Sequence, residues 1–314
     1  MTIPVVDLSD FMNGTPQQKA EFVQKLGKAY EDVGFVAVKN HGIPPNLIAE
    51  LYSHVQQFFS LPLEKKKKFE IPELAGQRGY TSFGKEHAKG SEAPDLKEFF
   101  QYGQIVPKNH PLKPEYPDNV VVNDISGFNE TLLDAYRAFE QSGKHLLRAI
   151  ALYLNLGENY FDEFITEGNS IVRAIHYPPI TSEPKSAIRA EQHEDINLIT
   201  LLVGASADGL QILTKQNEWV NVTSLPDQIV VNVGDMLQRL TNNKLKSTTH
   251  RVVNPPTELW HTSRFSIPFF LHPKSSMSLA ALENCIDKKH PKSYEDITAG
   301  QYLDERLKEI GLKK

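Results

Sequence analysis

The sequence has a single cysteine, Cys285, among 314 residues, which excludes an intrachain disulfide framework and any zinc site built from several thiolates. No apolar run approaches the ~20 residues that a membrane-spanning helix needs. The opening MTIPVVDLSDF lacks the basic and apolar regions of a secretory signal. These absences point to the reducing cytoplasm, with no membrane partner. Positive charge is also in short supply: 34 Lys and Arg against 39 Asp and Glu give a net charge of −5. No general field exists to hold a phosphate backbone, so nucleic acid is not an expected partner. The one dense basic run, Lys65 to Lys68 between Glu64 and Glu70, reads as the solvated face of a helical turn. Templates for other chemistries are missing too. GASAD around Ser206 lacks the final glycine of a G-x-S-x-G elbow, and neither G-x-x-x-x-G-K-[ST] nor G-x-G-x-x-G occurs.

What is present is an ordinary globular composition, 40% apolar and 23% charged, in a length that one large β core with helical additions can fill. A β-prone run, Ile3 to Leu8, precedes an amphipathic helix through Phe22, Val23, Leu26, Ala29, Tyr30 and Val33, ended by Gly34. GFVAVKNHGI then reads as a strand, and a second helix follows Pro44 with Leu51, Val55, Phe58 and Phe59 on one face. Residues 71–103 read as a long ordered loop with a late strand. A long helix spans Phe128 to Leu156, in which Gly143 marks either a kink or close packing. From Ser170 to Pro273 seven short β-rich runs follow one another: IVRAIHY, INLITLLV, LQILT, EWVNV, QIVVNV, STTHRVV and SRFSIPFFL. So many strands in succession imply a barrel or sandwich. A tail with Tyr294, Ile297, Tyr302, Leu303, Leu307 and Ile310 reads as helix.

Two patterns carry chemistry. His193 and Asp195 stand two apart at the start of a strand-like run, where alternation places them on one face. His250, in STTHRVV, lies where a later strand returns toward the same barrel mouth. Two imidazoles and a carboxylate make the facial triad of iron(II) oxygenases, which leaves positions open for substrate and dioxygen. Among 11 histidines an H-x-D pair alone is weak, and a surface or core histidine is the commoner source of such spacing. The second pattern is Arg264 and Ser266 in SRFSIPFF, again two apart. A planar fork of donors beside a hydroxyl suits a carboxylate. Apolar neighbours imply that Arg264 is buried, and a buried arginine requires an anion from the protein or from a ligand.

HEDINLITLL, GLQIL, VNVGDMLQRLTNN, KSTTHRVVNP and SRFSIPFFLHP resemble the iron-binding domain of isopenicillin N synthase-like, iron- and 2-oxoglutarate-dependent oxygenases. IPVVDLSDF, GFVAVKNHGIP and GYTSFGKEHAKG resemble that family's N-terminal region. The motifs occur in family order over residues 3–275. The resemblance implies a mixed α and β, mainly β fold: a double-stranded β-helix, or jelly-roll, flanked by helices. It implies His193, Asp195 and His250 as ligands of Fe(2+), with Arg264 and Ser266 as the anchor of the 2-oxoglutarate carboxylate. Tyr177, in RAIHYPP, matches a family tyrosine that helps bind the same cosubstrate. Its other reading is a barrel-wall tyrosine. Many plant members carry asparagine two residues earlier, where this chain has Ile175. Four segments are expected: residues 1–110, an N-terminal region packing on the core; 111–169, helical support; 170–275, the iron- and 2-oxoglutarate-binding jelly-roll; and 276–314, a C-terminal helical segment.

The implied reaction oxidises a C–H bond of a small-molecule substrate with dioxygen and releases succinate and carbon dioxide, with hydroxylation expected over desaturation or ring closure. Tyr80, Phe83, Lys97, Phe99, Phe100 and Phe270 are candidate substrate contacts, against the alternative of a packed lid with a solvated lysine. Rival readings are a cosubstrate-free or ascorbate-using oxidase of the same fold and a small-molecule-binding barrel without catalysis. A zinc hydrolase using the same three ligands is a further rival, although the Arg264–Ser266 pair then has no evident purpose.

Overall fold

Val5 and Val6 open β1 (Val5–Asp7), which pairs in parallel with β2 (Phe35–Lys39) in the computed structural model. The structure describes residues 3–86, 94–184, 186–204, 208–223 and 225–309. Ser206, Ile310 and residues 87–90 of the GYTSFGKEHAKG motif lie outside them. Between the two strands run a short α1 (Leu8–Met12), absent from the sequence reading, and α2 (Pro16–Asp32). A reciprocal capping box starts α2: Thr15 Oγ1 accepts from the Gln18 amide, and Gln18 Oε1 accepts from the Thr15 amide. Beyond its end, Gly34 has a φ of +76°, and an added Cβ would lie 2.3 Å from Thr248 Oγ1. The helices α3 (Pro45–Phe59) and α4 (Leu63–Lys66) come next. They precede the strands β3 (Gly79–Thr81) and β4 (Glu98–Gly103) and the helices α5 (Phe128–Tyr153) and α6 (Asp162–Ile165). The segment expected to be a loop therefore holds one strand more than anticipated, because Gly79 to Thr81 pairs with β4.

Eight strands follow: β5 (Ile171–Tyr177), β6 (Ala190–His193), β7 (Ile199–Val203), β8 (Leu210–Leu213), β9 (Trp219–Asn221), β10 (Gln228–Val233), β11 (His250–Val252) and β12 (Arg264–Leu271). Seven coincide with the runs read from sequence. The eighth, β6, has no apolar run, since AEQH is held as a strand only by pairing with β11. A short α7 (Asp235–Leu240), also unanticipated, leaves β10. The final helix, α8 (Ala299–Glu309), starts later than Tyr294. Thr298 stops it from extending backward by capping it: Thr298 Oγ1 accepts from the Gln301 amide while Gln301 Oε1 accepts from the Thr298 amide.

The strands make two sheets, ordered β1-β2-β10-β7-β12-β5-β4-β3 and β6-β11-β8-β9. They pack as a jelly-roll. Val230 of β10 meets Ile212 of β8 in one apolar cluster, and Ile175 of β5 meets Val252 of β11 in another. The outer face of the large sheet is covered by helices; Phe139 of α5 stacks on Phe269 of β12 with centroids 5.4 Å apart. Gly143 sits in an unbroken helix, where an added Cβ would lie 2.3 Å from Leu271 Cδ1, so close packing explains it. Burial on both faces explains why these strands read as near-continuous apolar runs. Alternation then sorts their side chains. Val172, Ala174, Ile267, Phe269 and Leu271 enter the helix-covered core. Arg173, Ile175, Tyr177, Arg264, Ser266, Pro268 and Phe270 line a cavity between the sheets.

One charge reading needs correction. Lys65, Lys67 and Lys68 are exposed, but Lys66 is buried, with Nζ 2.8 Å from both Glu98 carboxylate oxygens. Tyr80 and His176 also donate to that carboxylate. The turn aims one lysine of the run inward because Glu98 would otherwise be a buried, unpaired charge. Among the described residues, no helix is long and apolar enough to cross a membrane.

Candidate metal centre and cosubstrate pocket

His193 ends β6 directly opposite His250 on β11. Asp195 does not share a strand with His193, as alternation had implied; it lies in the connection from β6 to β7. Its side chain reaches the histidines because the connection is pinned. Asp195 Oδ2 accepts from Thr200 Oγ1 at 2.7 Å and from Asn232 Nδ2 at 2.8 Å, and its carbonyl accepts from the Asp235 amide at 2.7 Å. Oδ1 then faces His250 Nε2 at 3.8 Å. One ligand atom from each of the three residues lies within 4.8 Å of the others, and among the described residues no other His, Cys, Asp or Glu group converges in this way.

Both rings are oriented through Nδ1. His193 Nδ1 stands 2.7 Å from the Glu191 carbonyl and His250 Nδ1 3.1 Å from the Thr248 carbonyl. A carbonyl only accepts, so each Nδ1 carries the proton and each Nε2 keeps its lone pair. Burial, reinforced by His250, pushes the His193 imidazole down to about 4, so it is neutral at pH 7. Burial raises the Asp195 carboxyl, but the two histidines and the bonds from Asn232 and Thr200 outweigh it and hold the group below its ordinary value. Two imidazole nitrogens and one carboxylate oxygen on one side of a cavity fit a divalent ion such as iron(II), with further positions open.

The same cavity, of about 560 Å³, is lined by Tyr177, Arg264 and Ser266. Arg264 is 1% exposed and faces Tyr177 across the β5–β12 pair, its guanidinium carbon 5.0 Å from the ring centroid. Ser266 faces Ile175. A second buried arginine, Arg189, has its guanidinium carbon 6.0 Å from the Tyr177 centroid. Burial and Arg264 push it down to about 10. Two guanidiniums about one tyrosine concentrate positive charge here, which suits an anionic group.

Of the six residues read as substrate contacts, Lys97 and Phe270 line the cavity. Lys97 is not solvated; its Nζ lies 2.7 Å from Glu86 Oε1 and 2.7 Å from Asp95 Oδ2. The other four do not line it. Tyr80 faces the Lys66–Glu98 network on the opposite side of β4, and Phe100 packs against Phe58, centroids 5.0 Å apart. Phe99 packs with Ile175 and Tyr177, while Phe83 is 49% exposed. Strand alternation in β4 sends residues 98 and 100 away from the barrel.

Several cavity residues escaped the sequence reading. Arg173 was legible, since it lies on the Tyr177 face of IVRAIHY, four residues earlier. Asn232 was also legible, as a lone amide inside the apolar run QIVVNV. His272, pushed down to about 4 by burial, and Asp235, pushed up to about 6 by burial, had no such signal. Nor did Leu303, Arg306 and Leu307 of α8, which reach the cavity because Tyr302 bonds Asp235 Oδ2 at 3.1 Å.

Known proteins resemble this chain over almost its whole length. Residues 3–124 match the family described as non-haem dioxygenase in morphine synthesis N-terminal, and residues 168–273 match the 2OG-Fe(II) oxygenase superfamily. A proline hydroxylase of Petromyces alliaceus is 34% identical over 98% of this chain and 99% of its own length. A crystal structure of a 2OG-Fe(II) oxygenase family protein from Caulobacter crescentus superposes with a TM-score of 0.89, at 39% identity, over 98% of this chain and 99% of that one. A full-length Neurospora crassa protein, crystallised in complex with alpha-KG and thymine, superposes with a TM-score of 0.86, at 31% identity, over 98% and 96%.

Proposed function

This chain belongs to the 2OG-Fe(II) oxygenase superfamily, and on that premise we propose that His193, Asp195 and His250 hold the iron while Arg264, Ser266 and Tyr177 hold the distal carboxylate of 2-oxoglutarate. The protein is an iron(II)- and 2-oxoglutarate-dependent dioxygenase, an enzyme that oxidises a small-molecule C–H bond and releases succinate and carbon dioxide. The observation that carries the residue assignment is the convergence of three ligand atoms from separate segments on the cavity that also holds Arg264.

When bound, the iron supplies the redox chemistry with dioxygen and the keto acid. The chain supplies geometry and exclusion of water. Thr200 and Asn232 restrain Asp195 to one free oxygen, and the carbonyls of Glu191 and Thr248 fix the two imidazoles. Arg264 and Ser266, on one face of β12, give the cosubstrate one orientation. Leu202, Leu210 and Val252 line the cavity with apolar surface that keeps bulk water out.

Hydroxylation is the proposed outcome, in line with the name of the Petromyces alliaceus relative. A small-molecule substrate is supported by the cavity's size and by the thymine complex of the Neurospora crassa protein. The net charge of −5 and the lone Cys285 fit a cytoplasmic protein that does not bind nucleic acid. The divisions at residues 110, 169 and 275 remain our proposed segment boundaries; β1 to β4 extend the jelly-roll sheet at both edges, which supports an N-terminal region packed on the core. Substrate-dependent succinate release tests the assignment. It should vanish in His193→Ala and in Asp195→Ala, and its survival in either removes the triad.

A further inference from the structure

We infer that the cavity wall around Arg173 selects an uncharged substrate bearing a carbonyl or amide group, and that Glu86 sets this selectivity. The inference rests on the cavity being the active site proposed above. Four charged side chains line this wall, Glu86, Asp95, Lys97 and Arg173, with side-chain exposures of 11%, 5%, 6% and 16%. They form a closed set. Lys97 bridges Glu86 and Asp95 at 2.7 Å each, and Arg173 Nη1 lies 3.2 Å from both Glu86 oxygens. Two cations meet two carboxylates, so the wall is neutral among the described residues. Toward α8 the cavity adds another matched pair, Arg306 and Glu309 at 2.5 Å, and the Asp235 carboxyl, which accepts from the Tyr302 hydroxyl.

A neutral wall of this kind discriminates by charge. A substrate carboxylate finds no uncompensated cation here: it reaches Lys97 only by displacing Glu86 or Asp95, and at Arg173 it would set a second buried negative charge beside Glu86. A substrate ammonium meets the mirror problem, because the carboxylates are already engaged. An uncharged molecule disturbs neither pair.

The wall also offers specific contacts. The Arg173 guanidinium carbon lies near two rings, 4.3 Å from the Phe99 centroid and 5.3 Å from that of Phe270. Its Nε donates to Gln101 Oε1 at 2.9 Å and its Nη1 to Glu86. Nη2 makes no hydrogen bond to the described residues and is the donor left for a neutral acceptor. Phe270, half-buried in the cavity lining, supplies an apolar face beside it. A carbonyl or amide on a small apolar body satisfies both.

The test uses the full chain loaded with iron(II) and 2-oxoglutarate without oxygen, and follows the visible charge-transfer band as matched probes are added. Nicotinamide is compared with nicotinate, and benzamide with benzoate. In the wild-type protein the amide of each pair should perturb the band at about tenfold lower concentration than the acid. Glu86→Gln, and independently Asp95→Asn, gives the wall a net positive charge and should move that ratio toward the acid by about tenfold or more. The inference is overturned if wild-type protein binds the acid as well as the amide, or if no probe perturbs a band that has formed. An unchanged ratio in both variants, with native circular dichroism, also overturns it. Should Glu86→Gln fail to fold, the wild-type ratio and Asp95→Asn still decide. A band that never forms sinks the active-site assignment itself, a failure distinct from a formed band indifferent to probe charge.

Discussion

The imidazoles of His193 and His250 face one another across the β6–β11 pair with ring centroids 4.4 Å apart. Two like donors this close, each with Nδ1 turned to a carbonyl, leave two Nε2 lone pairs for one shared partner. Iron(II), or a redox-silent divalent substitute, should therefore raise the melting temperature. At about a hundredfold excess over Kd the gain is roughly 2.7 kcal/mol. EDTA should reverse it, and His193→Ala should abolish it; a variant that still responds to metal by calorimetry contradicts the assignment.

Asp195 presents one oxygen because Thr200 and Asn232 hold the other. Thr200→Val and Asn232→Leu should each lower metal affinity by roughly 10–100-fold, read by metal titration rather than turnover. Thr200→Ser keeps the hydroxyl and should restore most of the affinity. Equal affinities in Val and Ser variants would remove the positioning role.

Arg264 offers a planar fork that lysine cannot reproduce. Arg264→Lys should raise the KM for 2-oxoglutarate by roughly 10–100-fold, the worth of about 1.5–3 kcal/mol in charge-assisted hydrogen bonds. Metal affinity should not change. A KM unaltered in initial-rate measurements of succinate release would show that another group anchors the cosubstrate.

Glu86 gives the fold an acid sensitivity of definite sign. Burial raises its carboxyl, but Arg173 and Lys97 outweigh burial and bring it down to about 2 from an ordinary 4.5. A depressed carboxylate contributes stability that is complete above pH 4.5 and is lost as pH falls toward 2. Lys97 is raised above its ordinary 10.5, against burial, by Glu86 and Asp95, so its share is present below pH 10.5 and lost only above it. Denaturant melts should show wild-type stability declining between pH 4.5 and 2, with a shallower decline in Glu86→Gln. Parallel curves would mean the pair does not couple to folding.

Lys66 and its neighbour Lys65 should behave differently. Lys66→Met leaves the buried Glu98 carboxylate without its cation and should cost about 3 kcal/mol or more. Lys65→Met, on the exposed side, should stay within about 0.5 kcal/mol. Adding Glu98→Leu to Lys66→Met should recover part of the loss; melts that show equal effects for the two lysines would contradict the burial.

The sequence by itself determined most of the strands, though not β3 or β6, together with the three ligand candidates and the Arg264–Ser266 pair. Apolar periodicity and strand alternation are local properties, written in residues two or four apart. His-x-Asp and Arg-x-Ser are local in the same way. Tertiary structure alone decided the rest. AEQH is a strand only because β11 runs beside it. Asp195 reaches the histidines through a pinned turn rather than through alternation, since its fixing bonds come from Thr200 and from Asn232, a residue of β10. Lys66 turns inward for Glu98, and Lys97 leaves solvent for Glu86 and Asp95. Each of these outcomes depends on a partner that the fold brings up, and a buried charge or an edge strand takes its state from that partner, which apolar periodicity and alternation do not record.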